Sequence, residues 1–467
     1  MPVLAGDEDD VEIDATPEAT PTPPPTPGPA QAPTATATAT TTPPPTPTPT
    51  PTPPPELTPA PTPTPAPTPT PAPQTPTNWL GALALQVTGY AQVQYVTSQL
   101  SENELSVEGD SLNQDRFMVR RARIKVDRAF RFARATVELD ANTVRGPALD
   151  LRHAELSLFL PGPDAAPAPV MLTMGLSDVP FGAELTTSSR NRLFMERSVA
   201  SRAFFAGEPD VGAQLSGGLG PLRYAIAAVN GQPVGDNPST STLPLTTERT
   251  FVGRVGADVG DPKTVRFTGG VSFLSGKGLH EGTAATKSAL TWSDSNEDGF
   301  VTLDELGAIS GQAAAKSSLY DRWAANADLG LGFHTKLGWS RVFTEATMAT
   351  NLDRTYFVAD PVTAGHDVRE LGWSVGASQE VTKWAIAGFR VDAYDPSSDL
   401  FDARRGKFIP KDATILTLSP VVGAQLEGYG RLVVQYDYIS DHLGRDVTGA
   451  PNDLPNDVWT VRLQGEF

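Results

Sequence analysis

The chain has 467 residues, no cysteine, 41 glycines, 45 prolines and a formal charge of −18. No stretch approaches the roughly 18 consecutive apolar residues of a transmembrane helix, and the acidic balance argues against nucleic acid, whose partners carry a basic stripe. A charged fraction of 19% is low for a soluble protein of this length and ordinary for a membrane barrel.

Met1–Gly6 is too short for a secretory leader, so a trimmed start or the remnant of a longer leader is expected. Residues 1–78 hold 27 of the 45 prolines, and every charge in them is acidic. Residues 15–77 form a Pro/Thr/Ala tract that cannot bury a core and favours extended polyproline II. At about 3.1 Å per residue it reaches on the order of 190 Å. It reads either as a periplasmic spacer carrying the acidic head Asp7–Asp14 towards the cell wall, or as an unselected disordered tail.

From Trp79 to Phe467 the texture changes to short alternating segments between Gly, Asp, Asn and Pro. In 87–95, Val87, Gly89, Ala91, Val93 and Tyr95 share one face, with Thr88, Tyr90, Gln92 and Gln94 opposite. Next, Met118, Ala122, Ile124 and Val126 are expected to oppose Arg121, Arg123 and Lys125. Ala135, Val137 and Leu139 likewise oppose Arg134, Thr136 and Glu138. The Arg121, Arg123, Lys125 stripe either lines a path for anions, as basic rings do in anion pores, or pairs with acids such as Glu138 and Asp140.

Farther on come Gly175-Leu-Ser-Asp-Val-Pro-Phe-Gly-Ala-Glu184, Ser188-Ser189 and Phe194-Met-Glu-Arg-Ser198. Asp210-Val-Gly-Ala-Gln-Leu-Ser-Gly217 and Tyr224 with Asn230-Gly231 follow them. Together with Arg116-Phe-Met-Val-Arg-Arg-Ala-Arg-Ile-Lys125, these segments in this order resemble the phosphate-selective porin O/P family over residues 116–255. The resemblance implies a 16-stranded, usually trimeric outer-membrane channel for small hydrophilic solutes. Where that family commonly has a lysine two residues before Pro-Phe-Gly, this chain has Asp178, which would reverse the local potential. Arg190, Arg192, Glu196 and Arg197 are expected either to fold into the channel as a mixed-charge constriction or to stabilise turns at its rim.

Residues 278–324 read as a long extracellular insertion between strand-like Val271–Leu274 and Leu329–Arg341. Within it, Asp294-Ser-Asn-Glu-Asp-Gly-Phe-Val-Thr-Leu-Asp-Glu305 matches the twelve-residue EF-hand loop. Asp294, Asn296 and Asp298 supply oxygens at positions 1, 3 and 5, and Gly299 permits the turn. Phe300 offers its carbonyl, Thr302 stands at position 9, and Glu305 closes the set as a bidentate ligand for Ca²⁺. Leu306 and Ile309 are expected on a helix beginning near Leu303. The bland alternative is an Asp/Asn-rich surface loop.

Towards the C-terminus, Ala387, Phe389, Val391 and Ala393 oppose Gly388, Arg390 and Asp392, while Leu432, Val434, Tyr436 and Tyr438 oppose Arg431, Gln435 and Asp437. The last segment sets Trp459, Val461, Leu463, Gly465 and Phe467 against Thr460, Arg462, Gln464 and Glu466. Alternation over about ten residues is how a strand between lipid and a wet lumen reads. The expected fold is an all-β transmembrane antiparallel barrel of about 16 strands over 79–467, in the outer membrane of a Gram-negative bacterium. Trp79, Trp339, Trp384 and Trp459 suit its interfacial girdles. No nucleophile elbow, zinc motif or nucleotide loop points to an enzyme, and the five histidines lack ligand spacing. A homotrimeric porin with a calcium-binding external loop is therefore the first reading, and a barrel-anchored, calcium-dependent surface binding or adhesion protein the second.

Overall fold

The computed structural model describes residues 84–467 apart from 100–102, 105–110, 113–114, 145, 161–166, 206–208, 232–247, 262, 281, 283, 293–301, 304–305, 358, 400, 405–406, 411, 427–428, 446–449 and 454. Trp79 and the 1–78 segment lie outside the described residues.

Period-two alternation produces sixteen antiparallel strands that close into one barrel. The first half is β1 (Leu85–Ser98), β2 (Asp115–Ala129), β3 (Ala133–Asn142), β4 (Ala148–Leu160), β5 (Val170–Asp178), β6 (Pro209–Leu219), β7 (Leu222–Val229) and β8 (Thr250–Gly260). The second is β9 (Val265–His280), β10 (Ser318–His334), β11 (Trp339–Thr350), β12 (Arg369–Glu380), β13 (Ala385–Asp395), β14 (Ile415–Leu426), β15 (Gly430–Asp441) and β16 (Val458–Glu466). Each pairs with its chain neighbours, and β1 pairs with β16 to close the ring. Closure leaves no sheet edge, so every strand satisfies its backbone polar groups within lipid.

Connections alternate in length. Tight turns such as Gly220-Pro221 stand at one end, where Gly220 supplies the positive φ (59°) of a two-residue hairpin. Long connections, including 179–208 and 281–317, stand at the other end, which by the usual arrangement faces the exterior. The seam closes at the short-turn end, where Gly89 and Phe467 exchange backbone hydrogen bonds of 3.0 Å. A Cβ on Gly89 would fall 2.3 Å from the Phe467 ring, so the terminal aromatic occupies the space glycine leaves.

The expected faces hold, with one shift. Val93, Ile124, Val137, Phe389, Leu432 and Leu463 point outward, while Gln92, Arg121, Thr136, Arg390, Gln435 and Gln464 are buried inward. Met118, however, is buried on the lumen side at 7% exposure rather than sharing a face with Ile124. The β1–β2 register shifts between Gln92 and Val93, so Arg120 is an extra residue and the alternation reverses across it. A second shift between Glu138 and Leu139 inserts Arg152 in β4.

Two boundaries also change. The stretch read as one strand, Leu329–Arg341, is the end of β10, a turn closed by the Thr335 amide on the Gly338 carbonyl at 2.8 Å, and the start of β11. β9 and β10 run on to His280 and Ser318, so the insertion is 281–317 rather than 278–324. Within it, Leu306–Ile309 is not a helix. It is a strand antiparallel to Ala289–Trp292, because Leu306 pairs with Trp292 across a hairpin and Gly307 disfavours helix there.

Candidate functional site: the infolded segment and the lumen

The 179–208 connection does not stay at the rim. Its described part, 179–205, carries two short helices, α1 (Ala183–Thr186) and α2 (Val199–Phe204), and packs inside the barrel. Val179, Phe181, Leu185, Val199, Ala203, Phe204 and Phe205 are buried against inward side chains of the wall, among them Val229, Val252, Leu274 and Tyr394. Burial of each large side chain contributes about 1.5–3 kcal/mol. A second apolar contact joins Phe194 and Met195 to Val421 and Val433.

Polar groups fix the segment on the wall. Glu345 of β11 accepts hydrogen bonds from the amides of Ala183 (3.2 Å) and Glu184 (2.9 Å), satisfying donors at the start of α1. Glu184 in turn accepts from the Ser198 amide at 2.8 Å, and the Ser198 hydroxyl caps α2. Ser189 bonds the Tyr90 hydroxyl at 2.6 Å, and its carbonyl accepts from Gln92. Arg190 pairs with Glu466 at 2.6 Å. Arg192 donates to the Thr187 carbonyl, and Arg197 to that of Phe205.

Glu196 is the centre of the arrangement. Its carboxylate meets Arg120 at 2.9 Å and Arg121 at 3.0 Å from β2, and Arg462 at 2.9 Å from β16. The β-bulge lets two consecutive arginines reach one carboxylate. Burial alone would push the Glu196 carboxyl up; the guanidinium groups of Arg120, Arg121 and Arg462 overcome it and hold it well below the usual carboxylate range. Arg462 also donates to the Met195 carbonyl at 2.7 Å and to Gln94.

The second bulge builds a parallel cluster. Arg152 and His153, consecutive in β4, both reach Asp178, at 2.8 and 3.2 Å. His153 lies 3.5 Å from Glu138, and Arg123 contacts both Glu138 (3.7 Å) and Asp140 (2.7 Å). Lys125 pairs with Asp127 at 3.6 Å. The basic stripe therefore pairs with carboxylates, and Asp178 sits where a lysine would confront Arg152 and His153.

Below the segment, on the short-turn side, lies a cavity of about 590 Å³ between α1, residues 190–196 and strands β9 to β16. Among the described residues it is lined by Arg190, Arg192, Arg341, Arg390 and Arg431 and by Glu184, Glu196, Asp328, Glu345 and Glu466. Arg190, Arg192 and Glu196 were singled out from the sequence and stand here together. Arg121 meets this group at Glu196 rather than lining the cavity itself, while Arg123, Lys125 and Asp178 are grouped on β2 to β5. Arg197 is turned to the Phe205 carbonyl. Arg390 and Arg431 were legible as wet-face residues. Arg341 and Glu345 lie in a strand whose start was misplaced, and Arg120 was hidden by the bulge.

Of the calcium set, Asp294, Asn296, Asp298, Phe300 and Glu305 lie outside the described residues; Thr302 is described and exposed. Among the described residues no group of three His, Asp or Glu side chains is placed to hold a metal ion. Trp339 and Trp384 stand at the short-turn end, Trp384 exposed in its turn, and Trp459 near the long-loop end faces outward, as a girdle residue does.

Comparison with known proteins agrees with the architecture. The family model described as phosphate-selective porin O and P matches residues 89–308. Among solved structures, OprB of Pseudomonas putida aligns with 10% identity and a TM-score of 0.50 over 83% of this chain and 96% of that one. The outer membrane channel DcaP of Acinetobacter baumannii (10% identity, TM-score 0.49, 82% and 97% covered) and the anion-selective porin from Comamonas acidovorans (10%, 0.48, 82% and 99%) are also similar. At such identities the likeness is one of fold. No curated protein matches the chain. The protein is thus a sixteen-stranded β-barrel of the outer membrane of a Gram-negative bacterium, similar over residues 89–308 to the phosphate-selective porin O and P family.

Proposed function

We propose that the barrel is a passive diffusion channel for small hydrophilic solutes or ions, working as a homotrimer. The observation that carries this reading is the charged cavity beneath the infolded segment, about 590 Å³ and lined by five arginines and five carboxylates among the described residues. Charged groups on a rigid wall offer hydrophilic solutes substitutes for water, and side chains on opposite sides select by size. The lining mixes both signs, so it commits the channel to neither. The family match and the fold support a channel rather than an enzyme.

The experiment is single-channel recording of the purified protein in planar bilayers under a salt gradient, with and without millimolar Ca²⁺. Conductance with a defined reversal potential supports the reading, and its sign assigns selectivity. Silence in both conditions refutes it.

The same proposal assigns Asp294, Asn296, Asp298, Phe300, Thr302 and Glu305 to a Ca²⁺ loop on the external insertion, binding in about the 0.1–1 mM range of extracellular modules. Its supports are the residue spacing and the Ala289–Trp292/Leu306–Ile309 ribbon, which pairs Trp292 with Leu306 on either side of the loop. Calcium is expected to slow proteolysis within 281–317, and Asp294→Asn to abolish that protection; identical cleavage with and without calcium refutes the site. Residues 1–78 are read as a periplasmic extension.

A second reading, a barrel-anchored calcium-dependent surface binding protein, is favoured by one feature: the apolar packing of 179–205 across the inner wall of β7 to β14. An anchor of that kind would conduct little, so solute flux separates the two.

A further inference from the structure

Near the long-loop end, two arginines converge beside a single acid, Asp210. Arg322 of β10 is 4% exposed, and Arg354 comes from the 351–368 connection. Arg322 donates to the Gly231 carbonyl and, at 3.2 Å, to the Thr250 hydroxyl. Arg354 donates to the same Gly231 carbonyl at 3.2 Å. Two cations therefore share one neutral acceptor, and the Nε of Arg322 is buried without a partner.

Neither arginine forms an ion pair among the described residues. The acid nearest in role, Asp210, is 2% exposed and spends both oxygens on backbone amides, those of Val211 and Gly231, each at 2.7 Å. The local balance is two positive charges against one negative. An arginine stays protonated in a protein, and a buried charge left unpaired is costly.

A small void of about 20 Å³ adjoins these groups, lined by Asp210, Gly231, Thr250, Arg322 and Arg354 on its polar side and by Leu274 and Phe205 among its apolar residues. One water-sized guest needs about 10–15 Å³ on this measure. That volume suits a single compact guest better than phosphate or a carboxylate solute.

We propose that this void is a binding site for one small monovalent anion, chloride in chemical class, held by Arg322 and Arg354. The ion neutralises the excess charge and ties β10 to the 351–368 connection. It also fastens the wall to Phe205 at the end of the infolded segment. The site is separate from the charged cavity and does not depend on whether the barrel conducts.

The test is thermal unfolding of the full-length protein in detergent, read as loss of the folded-barrel gel mobility. Chloride is titrated against gluconate at constant ionic strength. The wild-type midpoint is expected to rise with chloride and then saturate, by about 2–4 °C for a site of moderate affinity, and bromide should reproduce the rise. Arg354→Gln should remove it, whereas Arg369→Gln, at the exposed rim, should keep it. A wild-type midpoint independent of chloride, or an equal rise in R354Q, overturns the proposal. Should R354Q not fold, anomalous diffraction from wild-type crystals in bromide decides: a peak beside Gly231 supports the site, and water alone there refutes it.

Discussion

Replacing Glu196 by glutamine removes the one negative charge shared by Arg120, Arg121 and Arg462. Taking one partner from a fully buried ion cluster costs about 3–5 kcal/mol. The Glu196 side chain keeps 26% of its exposure, so water screens part of the loss and about 2–3 kcal/mol is expected. The same change adds one positive charge beside the cavity. At about 8 Å and an effective dielectric of about 40 the interaction is about 1 kcal/mol, which salt screening reduces to about 0.5 kcal/mol. That is about two-fold in the local occupancy of each ion and about four- to five-fold in their ratio. The assay is the reversal potential in planar bilayers, with the heat-induced mobility shift reporting stability. E196Q should move towards anion selectivity and unfold at lower temperature, while Glu196→Asp should keep the selectivity and lose part of the stability. An E196Q channel with wild-type reversal potential and wild-type unfolding would refute the assignment of Glu196 as the charged pivot of the lumen.

Because the Glu196 carboxyl is held below its ordinary value, its stabilisation is present above the unfolded-state pKa and lost only as pH falls through the lower folded-state value. The difference in unfolding midpoint between wild type and E196Q should therefore be constant from pH 7 to about pH 5 and shrink only in stronger acid; a gap that closes by pH 6 would contradict this. Asp178→Lys, which restores the residue type common in the resembled family, should place a cation against Arg152 and remove the acceptor of His153, destabilising the barrel by about 1–2 kcal/mol. Denaturant titration of D178K alongside Asp178→Asn checks it, since repulsion requires the lysine to be the worse of the two. Gly89→Val should hinder closure, because a Cβ there meets the Phe467 ring at 2.3 Å and the Arg123 carbonyl at 2.6 Å. The fraction of refolded protein with barrel mobility should fall, and pairing G89V with Phe467→Ala should recover only part of it, since the backbone contact remains.

Alternation alone placed Trp459, Val461 and Leu463 towards lipid and Thr460, Arg462 and Gln464 towards the lumen, and the structure agrees residue by residue. A strand's period is a local property of the pleat, so face, strand count and barrel class were legible from the chain. Of the charged run Arg190 to Arg197, read either as a constriction or as turn-stabilising residues, Arg190, Arg192 and Glu196 line the cavity and Arg197 does not. What the period does not encode is partnership. Glu196 finds Arg462 only because closure sets β1 between β2 and β16, bringing residues 266 positions apart within 2.9 Å. Nor does a local pattern announce a bulge: Arg120 and Arg152 read as ordinary members of their strands, yet each inserts a residue and aims two neighbours at one carboxylate. The infolding of 179–205 is likewise decided by tertiary packing, since Phe181, Val199 and Phe204 share their core with wall residues from strands far along the chain, as Phe204 does edge-on with Tyr394. Sequence periodicity determined the barrel and its two faces; the packed tertiary structure alone decided which charges meet inside it, because pairing across a lumen depends on closure and register rather than on neighbours in the chain.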